Sequence, residues 1–346
     1  MPPFRTVFGA ALGLALVTIC GVTISRAADA PGFKVTKHYP VPGDAGFDYI
    51  VFDNSSNRLY ISHGIEVNVL DAASGQVLGK VEDTQGVHGI AIVPALHRGF
   101  TTNGKESTIS VFDTATFKTL KRIPVPADPD FIFYDSHSNR VLVSHGYAGV
   151  ITAIDPEKET VIGQVPLGGA AEAAVVDGHG AGFVNLEKES TVVSFDPQTL
   201  AVSHKYPITG CEMPTGLAID AKNSRLFIGC RSKVMAVMDT ATGKVIATLP
   251  IGGRVDAVAF DAENQLVFCS NGEGTVSVIH QKSPTVYESL GDIQTLPGAK
   301  TMALDPKSKK LFLSASEMET VPASDGEKAR TRSKPGSFMI LVVERQ

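Results

Sequence analysis

Seven positions recur once per repeat and carry most of the side chains able to do chemistry. They are Asp48, His88, Asp130, Glu172, Thr215, Asp256 and Lys300, each five residues ahead of a turn position, and Glu212 lies close by in the Thr215 loop. A single carboxylate at such a place is ordinarily a turn cap bonded to local backbone. Several around one opening are different, because crowded like charges repel unless a cation or hydrogen-bond donors compensate. A second set of loops adds His63, His145 and Arg231, with the two imidazoles at equivalent places two repeats apart. Oxygen ligands from such a mixture suit Ca²⁺, and imidazoles turn the preference towards a transition metal. Asp48, His88, Asp130 and Glu172 are the candidate ligands should a metal bind; no cofactor is required by the pattern, and a divalent ion, Ca²⁺ or a transition metal, is the one it would suit. The other chemistry open to a carboxylate beside a histidine in a partly buried funnel is general acid–base catalysis. The chain has no Gly-x-Ser-x-Gly, His-Glu-x-x-His or Cys-x-x-Cys motif. Gly272-Glu273-Gly274 reads as a hairpin turn, since no helix follows to hold a phosphate.

The elements that position these residues are repeats. A short β-rich run closed by an acid recurs at Val67–Asp71, Ile109–Asp113, Ile151–Asp155, Val192–Asp196 and Met235–Asp239. A variant ends at His280, and a last copy, Met339–Glu344, keeps an acid. From Asp71 to His280 the landmarks lie 42, 42, 41, 43 and 41 residues apart, a regularity that unrelated strands would not keep. Each copy holds four strand signals. The first has Tyr49–Phe52, Arg58–Ser62, Val67–Leu70 and Val77–Val81, separated by polar turns. Four antiparallel strands per 40-odd residues make one propeller blade, so the chain is expected to be an all-β, seven-bladed β-propeller. The seventh copy lacks a fourth strand, and Phe33–Val41 reads as that strand, closing the ring from the mature N-terminus. Closure leaves no free sheet edge. A polar, charged insert over 317–335 interrupts blade seven and reads as a surface loop, or as a lid or docking segment over the ring.

Residues 1–27 differ in kind. Arg5, an apolar run from Val7 to about Val22, and Ser25-Arg26-Ala27 read as a signal peptide and its cleavage site. The propeller then occupies 33–346, and no stable membrane span remains after cleavage. The expected location is the periplasm or the exterior, and the expected state is a monomer. In an oxidising compartment Cys211 and Cys230, at the same face of blade five, are expected to form a disulfide. Cys20 leaves with the leader and Cys269 sits buried in blade six. The net charge of −5 argues against a broad nucleic-acid footprint.

The run Arg58-Leu59-Tyr60-Ile61-Ser62, followed by Val67…Asp71-Ala72-Ala73-Ser74-Gly75-Gln76-Val77, resembles the YVTN-type, or YncE-like, β-propeller repeat family. The resemblance covers the chain after residue 32 and implies the propeller fold. Absence of Trp separates the chain from WD repeats. The resemblance implies little about activity, because relatives by fold include surface-layer proteins, DNA-binding proteins and lactonase-like enzymes. Three functions stay open. One is an exported binding module whose channel mouth takes a small ligand, a metal or a partner protein of the cell envelope. Another is a metal-assisted lactonase-like hydrolase or lyase using the mouth carboxylates. The last is a structural, surface-layer role.

Overall fold

The second and third strands of each repeat are buried at successive positions because both of their faces are covered. Leu59, Tyr60, Ile61, Val67, Val69 and Leu70 are all fully buried. Fourth strands, such as Val77–Val81 and Thr119–Pro124, are largely exposed. Burial on both faces of the middle strands requires sheets stacked against one another around an axis. The computed structural model, which describes Ala30, residues 32–321 and residues 330–346, has that form. Seven four-stranded antiparallel sheets make up the ring. Their innermost strands are Phe47–Asp53, Val87–Val93, Pro129–Asp135, Ala171–Val176, Pro214–Asp220, Val255–Asp261 and Met302–Leu304. Among the described residues the one helical turn is a 3₁₀ segment at Pro94–Leu96. The apolar core lies between blades. One cluster joins Ile50, Leu59 and Ile61 of blade one to Phe312, Ile340 and Val342 of blade seven.

The recurring acid that marks each repeat is a turn device. Asp71 Oδ1 accepts the backbone N–H of Ser74 at 2.8 Å and its hydroxyl at 2.7 Å. Asp113 does the same for Thr116, and Asp239 for Thr242. Their carboxyls are held below the usual range by these bonds, opposed by burial, which for Asp239 is the largest influence. Blade six replaces the acid with His280 because its strands do not turn there. They continue as Thr275–Ser283 and Val286–Gln294.

The N-terminal strand runs over Phe33–Pro40 and pairs antiparallel with Met339–Arg345, supplying the outer strand of blade seven. Tyr39 is buried there and its hydroxyl donates to the carbonyl of Ala73 at 2.9 Å, tying the closure to blade one. Cys211 and Cys230 are bridged, with Cα atoms 5.5 Å apart, and Cys269 is free and buried. The ends of the blade-seven insert are not loop. Met318–Val321 pairs with Arg330–Ser333 as the stem of a hairpin, clasped by an ion pair between Lys334 and Glu317 at 2.7 Å. The leader assigned to 1–27 lies outside the described residues. No described helix is long and apolar enough to cross a membrane.

Removing the closing strand, in a protein beginning at Val41, leaves the Met339–Arg345 edge and its apolar face uncovered. Thermal unfolding followed by circular dichroism should then show a transition lowered by more than ~10 °C, or no cooperative transition. A midpoint within ~2 °C of the full-length value would show that the ring does not depend on this strand.

Candidate functional site

A β-bulge at the start of the innermost strand aims the charged residues. In each of blades one to six the pairing register with the second strand slips there, between Phe47 and Ile50, Val87 and Ile90, Pro129 and Ile132, Ala171 and Ala174, Pro214 and Leu217, and Val255 and Ala257. Asp48, His88, Asp130, Glu172, Thr215 and Asp256 all sit in these slips. A bulge inserts an unpaired residue and re-aims its side chain, at the cost of backbone groups that leave the ladder. Side chains of neighbouring strands satisfy those groups. Thr102 Oγ1 donates to Asp130 O at 2.7 Å, Thr215 Oγ1 to Val255 O at 2.9 Å, Asn185 Nδ2 to Thr215 O at 3.0 Å and Thr301 Oγ1 to Asp48 O at 2.5 Å. Ser270 donates to the carbonyl of Lys300 in the same way. Each of these bonds crosses from one blade to the next.

The charges then form a chain around the mouth. His88 Nδ1 lies 2.8 Å from Asp48 Oδ2 and 3.7 Å from Asp130 Oδ1. Lys300 Nζ lies 2.6 Å from Asp256 Oδ2 and 3.6 Å from Asp48 Oδ1. Across the ring Arg231 Nη1 stands 2.9 Å from Glu187 Oε1. Asp48 and Asp256 therefore have cationic partners. Asp130 has only the more distant His88, and the Glu172 side chain has no ion pair or hydrogen bond among the described residues.

Electrostatics follow this pairing. Burial, reinforced by the charge of Asp48, pushes the Asp130 carboxyl up to about 7, with His88 opposing. Burial raises Glu172 far above the usual carboxylate range; Asp130, Glu187 and Asp256 add to the rise and Arg231 opposes it. Burial also raises Asp256, though Lys300 holds it back. The bond to Asp48 raises His88 above its ordinary value against the opposing effect of burial. Burial works against the charge on Lys300, but Asp256 and Asp48 outweigh it and raise the amine. Tyr49, one residue deeper than Asp48, has its phenol pushed up by burial and then by Asp130, Asp48 and Glu172.

Several residues expected at the mouth are placed elsewhere. His63 is buried, shares a 3.1 Å contact with Asn68 through Nδ1 and packs on the Phe338 ring at 4.5 Å. His145 is buried and bonded to Thr152 at 2.9 Å. Asn103 and Asn271, at the same place in blades two and six, make equivalent cross-strand bonds to Ser110 and Ser277. The two histidines are thus polar pairs inside their blades, not imidazoles facing the carboxylates. Thr215 is buried in its interblade bond, and Glu212 is exposed, its backbone bonded to Ser232. Of the four ligands considered for a metal, Asp48, His88 and Asp130 each offer an atom within 4.8 Å of the others, and Glu172 stands outside that group. Tyr49 and Glu187 join the site unexpectedly. Glu187 occupies a mouth loop already visible in the repeat, but its pairing with Arg231 depends on how blades four and five meet.

Because its carboxyl is raised in the fold, Asp130 contributes stability below the ordinary carboxylate range, and that contribution is lost as pH climbs through about 7. Asp130→Asn, which imitates the protonated form, should gain stability over the ligand-free wild type by ~1–3 kcal/mol between pH 4 and pH 8, with little difference at pH 4. Thermal melts of both proteins at the two pH values check this. Equal destabilisation at both would show that the Asp130 carboxylate is well solvated or paired.

No protein-family model matches the chain. It is 29% identical over 119 residues to the uncharacterized protein YncE of Salmonella typhi, and equally to that of Salmonella typhimurium strain LT2. The match takes in 33% of this chain and spans only 33% of the curated relatives' own length. Among solved structures, a chain of Kuenenia stuttgartiensis hydrazine synthase aligns with TM-score 0.71 at 15% identity, covering 85% of this chain and 97% of that one. U3-55K aligns with TM-score 0.74 at 10% identity, covering 90% and 99%. At those identities the likeness is one of fold. The chain is therefore a seven-bladed β-propeller that is similar to YncE across a third of its length.

Proposed function

We propose that the protein is an exported binding module whose channel mouth holds a small cationic ligand. The carrying observation is the mismatch at the mouth. Asp48 and Asp256 are neutralised by His88 and Lys300, whereas Asp130 and Glu172 are partly buried without a close cation among the described residues. A cation placed there replaces protons that the buried carboxyls otherwise retain, so the site favours positive charge. The leader reading and the disulfide support the periplasm or the exterior as the location, since disulfides persist in oxidising compartments.

A divalent metal is the second reading, favoured by the Asp48–His88–Asp130 grouping within 4.8 Å. It has a cost: a metal needs neutral imidazole, and Asp48 stabilises the protonated form of His88. The hydrolase alternative needs such a metal to activate water and stands or falls with it. No feature of the ring favours a surface-layer role over these.

Calorimetric titration at pH 7.5 with Zn²⁺, Ca²⁺ and methylammonium tests the proposal. At least one should bind, and Glu172→Gln and Asp130→Asn should each weaken it by about 10- to 100-fold, the usual worth of a charge-assisted bond. Preference for Zn²⁺, with Asp48→Asn as damaging as Asp130→Asn, would select the metal reading. Failure of every cation to bind would overturn the proposal.

A further inference from the structure

Below the charged mouth the channel changes character. A cavity of about 210 Å³ runs down the axis, walled by Tyr49, Phe131, Ala173, Ala257, Val258 and Met302, with Asp256 at its charged end. The Tyr49 and Phe131 rings meet edge to face at 5.4 Å, forming an aromatic corner. Two lining positions, Gly89 between the blades of the aromatic corner and Gly216 in blade five, are bare backbone. A Cβ on Gly89 would fall 2.8 Å from Asp130 O, and one on Gly216 would fall 2.7 Å from the Val258 amide nitrogen. Neighbouring blades pack too closely there for any side chain, so backbone alone forms the wall at these two positions.

From solvent inwards the order is carboxylates first, then an apolar tube closed to one side by aromatic rings. We infer that the ligand of this mouth is a primary amine, its ammonium held by Asp130 and Glu172 and its apolar tail, one aromatic ring or an alkyl chain of similar size, inserted into the lumen. This rests on the reading of the mouth as a cation site. The size follows from the volume: a dry apolar cavity of roughly 150 Å³ accepts benzene, so this lumen takes one ring and a short linker. The polarity order also selects against a protein lysine. Its ammonium would enter ahead of its methylenes, placing charge in the apolar tube and the stem among carboxylates. A bare metal ion would leave the apolar lumen unused. Aromatic walls below the ammonium add a favourable face for the cation.

The test is calorimetric titration of the leaderless protein at pH 7.5 with methylamine, 2-phenylethylamine, 2-phenylethanol and Zn²⁺. 2-Phenylethylamine should bind about 30-fold or more tighter than methylamine, from burial of the ring, and similarly tighter than the alcohol, from the charge. Ala257→Leu fills the lumen and should abolish the advantage of the ring while leaving methylamine binding unchanged. Phe131→Ala widens the lumen and should shift preference towards 4-phenylbutylamine; it serves if the leucine variant fails to fold. If 2-phenylethylamine binds no tighter than methylamine, the lumen takes no part and the inference is wrong, while the cation site stands. Binding of Zn²⁺ without either amine overturns the inference and leaves the metal reading. Absence of all binding removes both the inference and the proposed function.

Discussion

The bond between a bulged innermost strand and the next blade is the interaction on which the rest of this structure depends. Each bulge releases backbone groups from the ladder at the tightest part of the ring, where water is scarce. An unmade buried hydrogen bond there costs about 1–3 kcal/mol. Thr102, Thr215, Asn185, Ser270 and Thr301 answer this with hydroxyls or an amide that reach the carbonyls of Asp130, Val255, Thr215, Lys300 and Asp48. One set of bonds thereby does two tasks. It fastens neighbouring blades at their inner edge, and it fixes the backbone of the residues whose side chains make the mouth. Site and scaffold share the same hydrogen bonds, so the charged side chains stand on rigid backbone.

Rigidity has an electrostatic consequence. Side chains anchored around a narrow ring cannot move apart to relieve repulsion. Relief comes instead from partners and from protons. Lys300 bridges Asp256 and Asp48, His88 bridges Asp48 towards Asp130, and Arg231 takes Glu187. The cations run out between blades three and four, where Asp130 and Glu172 stand, and there burial shifts the carboxyls upwards. The asymmetry of the ring therefore lies in its charges, since its backbone is close to sevenfold. A propeller of identical blades would have no preferred side for a ligand; this one has.

The repeat also disguises roles. His63, Asn103, His145 and Asn271 hold one place in four blades and perform one task, a polar bond to the third strand. Read singly, the two histidines suggest chemistry. Read as members of a set that includes two asparagines, they are interchangeable hydrogen-bonding groups of the blade. His88 differs because its position is shared with Asp, Glu and Lys, whose charged side chains gather at the mouth, and in one blade with Thr215, which bonds the next blade instead.

Much of the architecture was legible in the chain alone. The spacing of Asp71, Asp113, Asp155, Asp196 and Asp239, with apolar runs between, determined the number of blades, because a turn-closing acid is a local device acting over three residues. The missing fourth strand of the last copy pointed to Phe33–Val41 as the closing strand, and the spacing of Cys211 and Cys230 to their bridge. The hairpin stem at 318–321 and 330–333 was read as loop because the segment around it is polar and charged and its two short strands pair only with each other. What tertiary structure alone decided was which charges meet. Residues some 40 positions apart, such as His88 and Asp48 or Lys300 and Asp256, become neighbours only when blades close into a ring. Burial at that inner edge then separates the paired carboxylates from the unpaired ones, a distinction no local sequence pattern carries, because it depends on the distance across a channel built by all seven repeats.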